Sequence, residues 1–278
     1  MSVREAAGLP EWLPASLVQD QHGIWHCANR SSVSYPTDGN QFYFELEDKS
    51  YWYNHRNFCI AEAVRRFPPR GPLVEIGGGN GFVALGLQRA GHDVVVLEPD
   101  PSGALAARRR GIEHVICGAF QDVGFAEGSI AAIGLFDVLE HIEDDAAALA
   151  AFHRCLAPGG RMYIAVPAYR WLTSDQDQLL GHFRRYSLRS LAKVVGGAGF
   201  VIDYRAYFFL PLILPIALFR ALPNRLGVHN RENDPELHEL RGVLGAALGG
   251  ALALERRLIA AGLRLPAGSS CLLVARKP

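Results

Sequence analysis

The sequence predicts an α/β fold: a seven-stranded, mostly parallel sheet with an N-terminal cap over 1–70 and a domain over 71–278 that carries a helical insertion, 209–268, before its last strand. Three observations predict it. From 72 to 208, short β-branched runs alternate with helical stretches of about ten to fifteen residues, the pattern of βαβ units. Glycine or proline closes almost every helical stretch. Roughly sixty residues separate the sixth and seventh strands, far more than an ordinary loop, so they must contain helices of their own.

Taken in order, Trp52–Phe67 reads as a helix stopped by Pro68, Pro69, Gly71 and Pro72. Leu73–Ile76 is the first strand and runs into glycines; Phe82–Ala90 is a helix ended by Gly91. Asp93–Leu97 has the β-branched character of a buried parallel strand, and the helix Ser102–Arg110 stops at Gly111. His114–Cys117 and Ile130–Phe136 are the third and fourth strands. The helix Asp145–Leu156 breaks at Pro158, Gly159 and Gly160 before the fifth strand, Arg161–Val166. Ser187–Ala198 is helical, Phe200–Phe208 is the sixth strand, and Cys271–Arg276 the seventh.

Phe208–Leu222 is strongly apolar but interrupted by Pro211 and Pro215, and shorter than the twenty or so residues that span a bilayer. It is expected to pack on a second helical stretch, Leu240–Leu263. An apolar acceptor tunnel or a shallow membrane contact is the alternative.

Composition narrows the function. Lysine plus arginine equals aspartate plus glutamate at 28 each, so the chain lacks the positive excess a duplex nucleic-acid binder uses. Cys27, Cys59, Cys117, Cys155 and Cys271 never form a CxxC, and Ser2–Glu11 lacks the apolar run of a leader peptide; a cytoplasmic protein with reduced thiols is expected. The spacing of His22, His26, Cys27, His55 and Cys59 matches no standard zinc pattern, so no metal is expected.

The chemistry sits in Leu73-Val74-Glu75-Ile76-Gly77-Gly78-Gly79-Asn80-Gly81. Glycines after a strand let the backbone turn sharply and approach a ligand, while amides of the following helix face it. A dinucleotide loop needs glycine at its first, third and sixth positions, and counting from Gly77 the sixth is Phe82. An NAD(P)-dependent oxidoreductase is thereby disfavoured. About twenty residues on, Glu98 ends a strand, where a carboxylate can accept ribose hydroxyl protons or simply cap a helix.

With these motifs, Gly134–Ile142 and Leu156–Gly160, the run 72–208 and the final strand Ser270–Lys277 resemble the class I S-adenosylmethionine (SAM)-dependent methyltransferases, which have a Rossmann-like sheet. The resemblance implies SAM as cofactor and S-adenosylhomocysteine (SAH) as product. It implies that Glu75, Gly77, Gly78, Gly79, Asn80 and Gly81 cradle the methionine part. Glu98, followed by Pro99, would hold the ribose, Ala119–Asp122 flank the adenine, and Asp137 close the pocket. Many relatives carry an acid at the position of Ala119; here Gln121 or Asp122 must substitute.

For the acceptor, His141, His182 and Asp177 are the candidate acid–base groups, whereas His153 is expected to be structural. The stretch Gly181-His182-Phe183-Arg184-Arg185-Tyr186 is similar to a loop of a bacterial methyltransferase subgroup. His55, Arg56, Tyr169, Arg184, Arg185 and Tyr186 are candidate acceptor-binding residues. The arginines either clamp a phosphate or carboxylate or pair with Asp175 and Asp177. His55 and Arg56, among aromatic residues, form either a lid over SAM or a packing seam. The expected reaction moves a methyl group to O, N or C of a small or lipid-like acceptor, phosphorylated acceptors included. A non-catalytic binding protein on the same fold is the second rival.

Overall fold

The computed structural model describes residues 12–27, 44, 46–227 and 242–278. Parts of the expected cap (1–11, 28–43 and 45) and of the insertion (228–241) lie outside the described residues.

The strands are β1 (Val18–Gln19), β2 (Trp25–His26), β3 (Leu73–Ile76), β4 (Val94–Glu98), β5 (His114–Cys117), β6 (Ile130–Phe136), β7 (Leu156–Pro167), β8 (Val201–Phe208) and β9 (Ser270–Arg276). They form one sheet in the order β1-β2-β5-β4-β3-β6-β7-β9-β8. Strands β2, β5, β4, β3, β6 and β7 run parallel, and β9 lies antiparallel between β7 and β8. The seven strands expected are β3 to β9. The count needs correction to nine among the described residues, because the short β1–β2 hairpin of the cap adds to the edge at β5. Two-residue strands are too brief to leave a period in the sequence, yet they cover backbone groups that an edge strand would otherwise expose.

Helices are α1 (Tyr51–Arg66), α2 (Phe82–Arg89), α3 (Pro101–Arg109), α4 (Phe120–Val123), α5 (Asp145–Cys155), α6 (Asp175–Leu179) and α7 (Leu188–Gly197), then a helical stretch α8 over 213–225 and α9 (Gly242–Ala260). Alternate residues of the central strands feed two cores, one per face. Val74, Ile76, Val95 and Leu97 enter one, and Leu73, Val94 and Val96 the other. That is why these strands read as continuous apolar runs. The break expected at Pro158–Gly160 is a register shift inside β7: Ile130 pairs with Leu156, but Ala132 pairs with Arg161.

The apolar run Phe208–Leu222 divides. Phe208, Phe209 and Leu212 join the core with Leu252 and Ile259 of α9, as expected. Leu214, Leu218 and Phe219 do not; they are 70, 54 and 76% exposed. Core packing therefore explains only its first part. No helix among the described residues is long and apolar enough to cross a membrane.

Helix α1 starts where Ser50 accepts the amides of Trp52 and Tyr53 at 3.2 and 3.5 Å. It docks on α9 through His55, which is fully buried, 3.1 Å from Glu255 and against the Phe209 ring at 4.8 Å. Glu255 also accepts the amides of Phe209 and Leu210 at 2.5 and 2.9 Å. His55 is thus an internal tie, which corrects its assignment to acceptor binding: a ring with no exposed surface does not line a site. His55→Ala should destabilise the fold by about 2–4 kcal/mol in chemical denaturation, from a lost buried contact and a partly unsatisfied acid. A change below about 0.5 kcal/mol would contradict this role.

Candidate active site

The site is built from strand ends. Ile76 of β3 lies opposite Leu97 of β4, and the Leu97 carbonyl accepts the amides of Gly77 and Gly78 at 2.7 and 3.3 Å. The chain then turns with φ of +65° at Gly77 and +51° at Gly79, a region that L side chains rarely enter. A Cβ on Gly77 would fall 2.8 Å from a Val138 methyl, whereas one on Gly79 would meet nothing within 4 Å. Gly77 serves the packing of the chain on itself; Gly79 borders open space.

Glu98 binds this turn from the side. Its carboxylate accepts the Gly79 amide at 2.7 Å and the Asp100 amide at 2.8 Å, across Pro99. Burial pushes Glu98 up to about 7 despite these bonds. Burial likewise pushes Glu75 up to about 8, and its Oε2 has no hydrogen-bond partner among the described residues. Asn80 is buried beside them, and Gly81 caps α2. One strand along the edge, α4 carries Gln121, exposed, and Asp122, half-buried. The residues expected to hold the cofactor thus share one sheet edge.

The neighbouring strand ends hold three non-glycine residues at positive φ: Asp137 after β6, Tyr169 after β7 and Phe209 after β8, at +57°, +58° and +63°. Each such conformation costs about 1–3 kcal/mol and persists only where surrounding contacts enforce it. Asp137 is held by the Arg56 guanidinium, which also lies 4.9 Å over Trp52 and 5.5 Å over Tyr53. Arg56, expected on the acceptor, is here the partner of Asp137. Tyr169 stacks between Trp171 and Tyr207 at 5.8 and 5.1 Å.

The loop after β7 folds onto this edge. Asp177, in the first turn of α6, forms a capping box with Ser174 and lies 2.9 Å from His182 Nδ1. It also accepts Arg185 at 2.6 and 3.1 Å and the Ser174 amide at 2.8 Å. Burial alone would raise its carboxyl; the bonds from His182, Arg185 and Ser174 outweigh burial and hold it well below the ordinary range. Arg185 therefore pairs with Asp177, the structural alternative foreseen for the arginines. Arg184 pairs with Asp145 at 2.9 Å, and Asp145 also accepts the Tyr186 hydroxyl at 2.7 Å. The polar ends of Arg184 and Tyr186 thus fix the loop to α5.

His182 meets His141 ring against ring, 4.7 Å apart and nearly perpendicular. Burial first, then the nearby His182, pushes His141 down to about 4. Between Asp137 and His141 lies Glu140, fully buried, with neither carboxylate oxygen hydrogen-bonded to another described residue. Burial, then the charge of Asp137, holds it well above the ordinary carboxylate range. Sequence reasoning missed Glu140, although an acid three residues after Asp137 and beside His141 was a readable signal. Beyond the loop opens a cavity of about 690 Å³ lined by Tyr169, Trp171, Tyr186 and the arginines Arg170, Arg185 and Arg225.

Comparison with known proteins agrees with this geometry. A family described as a methyltransferase domain matches residues 51–204. The chain is similar to a protein of Mycolicibacterium smegmatis described as an S-adenosylmethionine-dependent methyltransferase. The two are 24% identical over 174 residues, which cover 60% of this chain and 66% of that relative. Two solved structures share the fold. One is from the complex between the Haloferax volcanii Trm112 methyltransferase activator and a methyltransferase, with a TM-score of 0.58, 18% identity, and coverage of 89% of this chain and all of that one. The other, Haemonchus contortus phosphoethanolamine N-methyltransferase 2 with S-adenosyl-L-methionine, has a TM-score of 0.54, 17% identity, and coverage of 89 and 61%.

The buried acids give the site a pH signature. Glu75 and Glu98 are protonated in the fold up to about 8 and about 7, against an ordinary 4.5, so between these values the folded chain binds more protons than the unfolded one. Their contribution to stability is present at low pH and lost as pH rises through the folded values. Denaturation of the ligand-free chain should show stability falling from about pH 5 to about pH 8, with Glu75→Gln flattening the slope. Stability that climbs over this window would contradict the burial of these acids.

Proposed function

The chain belongs to the methyltransferase domain family, and from that premise we propose that it transfers a methyl group from SAM to a small or lipid-like acceptor bearing an anionic group. The observation that carries the reading is the open glycine turn bonded through Gly79 to Glu98. The residues fit the cofactor: Gly79 leaves room that a Cβ would take, and Glu75 keeps beside the turn a buried oxygen without a partner among the described residues. Glu75 would receive the ammonium of the methionine part, Gly77–Gly81 the main-chain contacts, Glu98 the ribose hydroxyls, and Gln121 or Asp122 the adenine.

SAM supplies a methyl group already activated on a sulfonium. The chain's own residues then chiefly position and exclude water, which supplies much of the rate in a displacement of this kind. Arg56 and Asp137 brace the end of β6. Asp177 would receive the Nδ1 proton of His182 and so leave the lone pair on Nε2. His141 stands against that ring.

The acceptor class follows from the cavity and from α8. Arg170 and Arg225 favour an anion such as a phosphate, beside an Arg185 that Asp177 already neutralises. Arg225 belongs to α8, donates to the Trp171 carbonyl at 2.9 Å, and lies on the same stretch as exposed Leu214, Leu218 and Phe219. One helical stretch thus offers both an anion-binding head and an apolar surface, suited to an amphiphilic acceptor or to contact with a lipid surface. The oxidoreductase rival is disfavoured by Phe82 in the place of the third fingerprint glycine.

Glu98→Ala should weaken SAH binding by about 1–3 kcal/mol in titration calorimetry, the cost of charge-assisted hydrogen bonds, with no binding of NADH by either form. Unchanged SAH affinity would remove Glu98 from the ribose. SAH binding without turnover on any hydroxyl, amine or phosphorylated acceptor would favour the non-catalytic rival.

A further inference from the structure

We propose that Glu140, His141 and His182 form a binding site for a transition-series divalent cation, with Asp177 as the group that orients His182. The ligand atoms of the three residues lie within 4.8 Å of one another, close enough for one ion to reach them all. They come from two segments that the fold brings together. Glu140 and His141 lie in the turn after β6, and His182 in the loop after β7, tied to that turn by the Phe183 amide on the Glu140 carbonyl at 2.9 Å.

Glu140 is the independent observation. A carboxyl group with no exposed surface and no hydrogen-bond partner on another described residue is costly to keep, because burial removes water without replacing it. Glu75, Glu98 and Asp177 each have an amide on at least one oxygen: Glu75 has that of Ala84, Glu98 has two amides, and Asp177 has an amide and the side chains of His182 and Arg185. A cation supplies what Glu140 lacks. His182 also has the second-layer bond that metal-bound imidazoles show, one ring nitrogen on a carboxylate while the other coordinates. The same bond makes Nε2 the ligand atom of His182.

Two imidazoles and one carboxylate select Mn²⁺, Fe²⁺, Co²⁺, Ni²⁺ or Zn²⁺ over Ca²⁺ and Mg²⁺, which favour all-oxygen shells. Three protein ligands leave positions for water or for an oxygen of the acceptor. The methyl-transfer reading bears on this last point alone; the cation site rests on Glu140, His141 and His182. A bound cation would also settle the role of His182, whose Nε2 lone pair would hold the ion rather than take a proton. This finding would revise the expectation that the chain binds no metal.

The test uses the full chain freed of metal with EDTA, then titrated with Co²⁺ and followed by visible absorption and melting temperature, with SAH binding measured in parallel. The expected result is saturable binding of one Co²⁺ per chain with a d–d spectrum, a rise in melting temperature, and competition by Zn²⁺. Glu140→Gln and His182→Ala should abolish the spectrum while SAH binding persists, and Asp177→Asn should weaken Co²⁺ by about 10- to 100-fold. Should His182→Ala fail to fold, Glu140→Gln decides, since it keeps the size of the buried side chain and removes the carboxylate that an ion would bind. No binding by the wild-type chain, or binding that survives Glu140→Gln, overturns the site. Loss of SAH binding by the wild-type chain would instead strike the methyltransferase reading and leave the cation result standing.

Discussion

The hydrogen bond from the Gly79 amide to the Glu98 carboxylate, 2.7 Å long, ties the glycine turn to the end of β4 beyond the last paired residues of the two strands, Ile76 and Leu97. It exists because β3 and β4 are parallel neighbours in a register that sets Ile76 beside Leu97, and because Gly79 turns at positive φ. Without it Glu98 would keep a single amide partner in a buried position, and the turn would lose the brace that holds it open. The glycine turn, the burial of Glu75 behind it and the start of α3 at Asp100 all lean on this contact.

Buried acids around the site fall into a graded series of satisfaction, and the grading separates structure from function. Glu255 is saturated by His55 and two amides and lies in the seam between α1 and the β8 end. Asp177 is saturated by His182, Arg185 and Ser174 and fixes a loop. Glu98 is half committed to main-chain amides that a sugar hydroxyl could replace or join. Among the described residues, Glu75 has one oxygen without a partner and Glu140 has two. Polar atoms left unsatisfied where water is excluded cost free energy, and this is why the two acids carry our proposals for ligands.

Strands β3, β5 and β6 lie where their β-branched runs place them, and the glycines and prolines after helices mark the ends of α1, α2 and α3 within a residue or two. These features are local: a period, a turn residue, a stop. The glycine turn and Glu98, which we propose for the cofactor, are legible as a pair for the same reason, since a fixed βαβ spacing separates them. What was illegible is non-local. That His55 faces Glu255, two hundred residues away, depends on how α1 meets α9. Arg185 finds Asp177 only once the loop closes, and Glu140 gains its meaning only when β6 and β7 bring His182 onto it. The exposed half of Phe208–Leu222 shares the apolar composition of its buried half, so hydrophobicity could not divide the two.

A crystal structure of the full chain with SAH tests the central claim most directly. The account predicts the homocysteine end against the Gly77–Gly81 turn and Glu75, and the ribose hydroxyls on Glu98. SAH bound elsewhere, or a turn filled by the protein's own side chains, would contradict it.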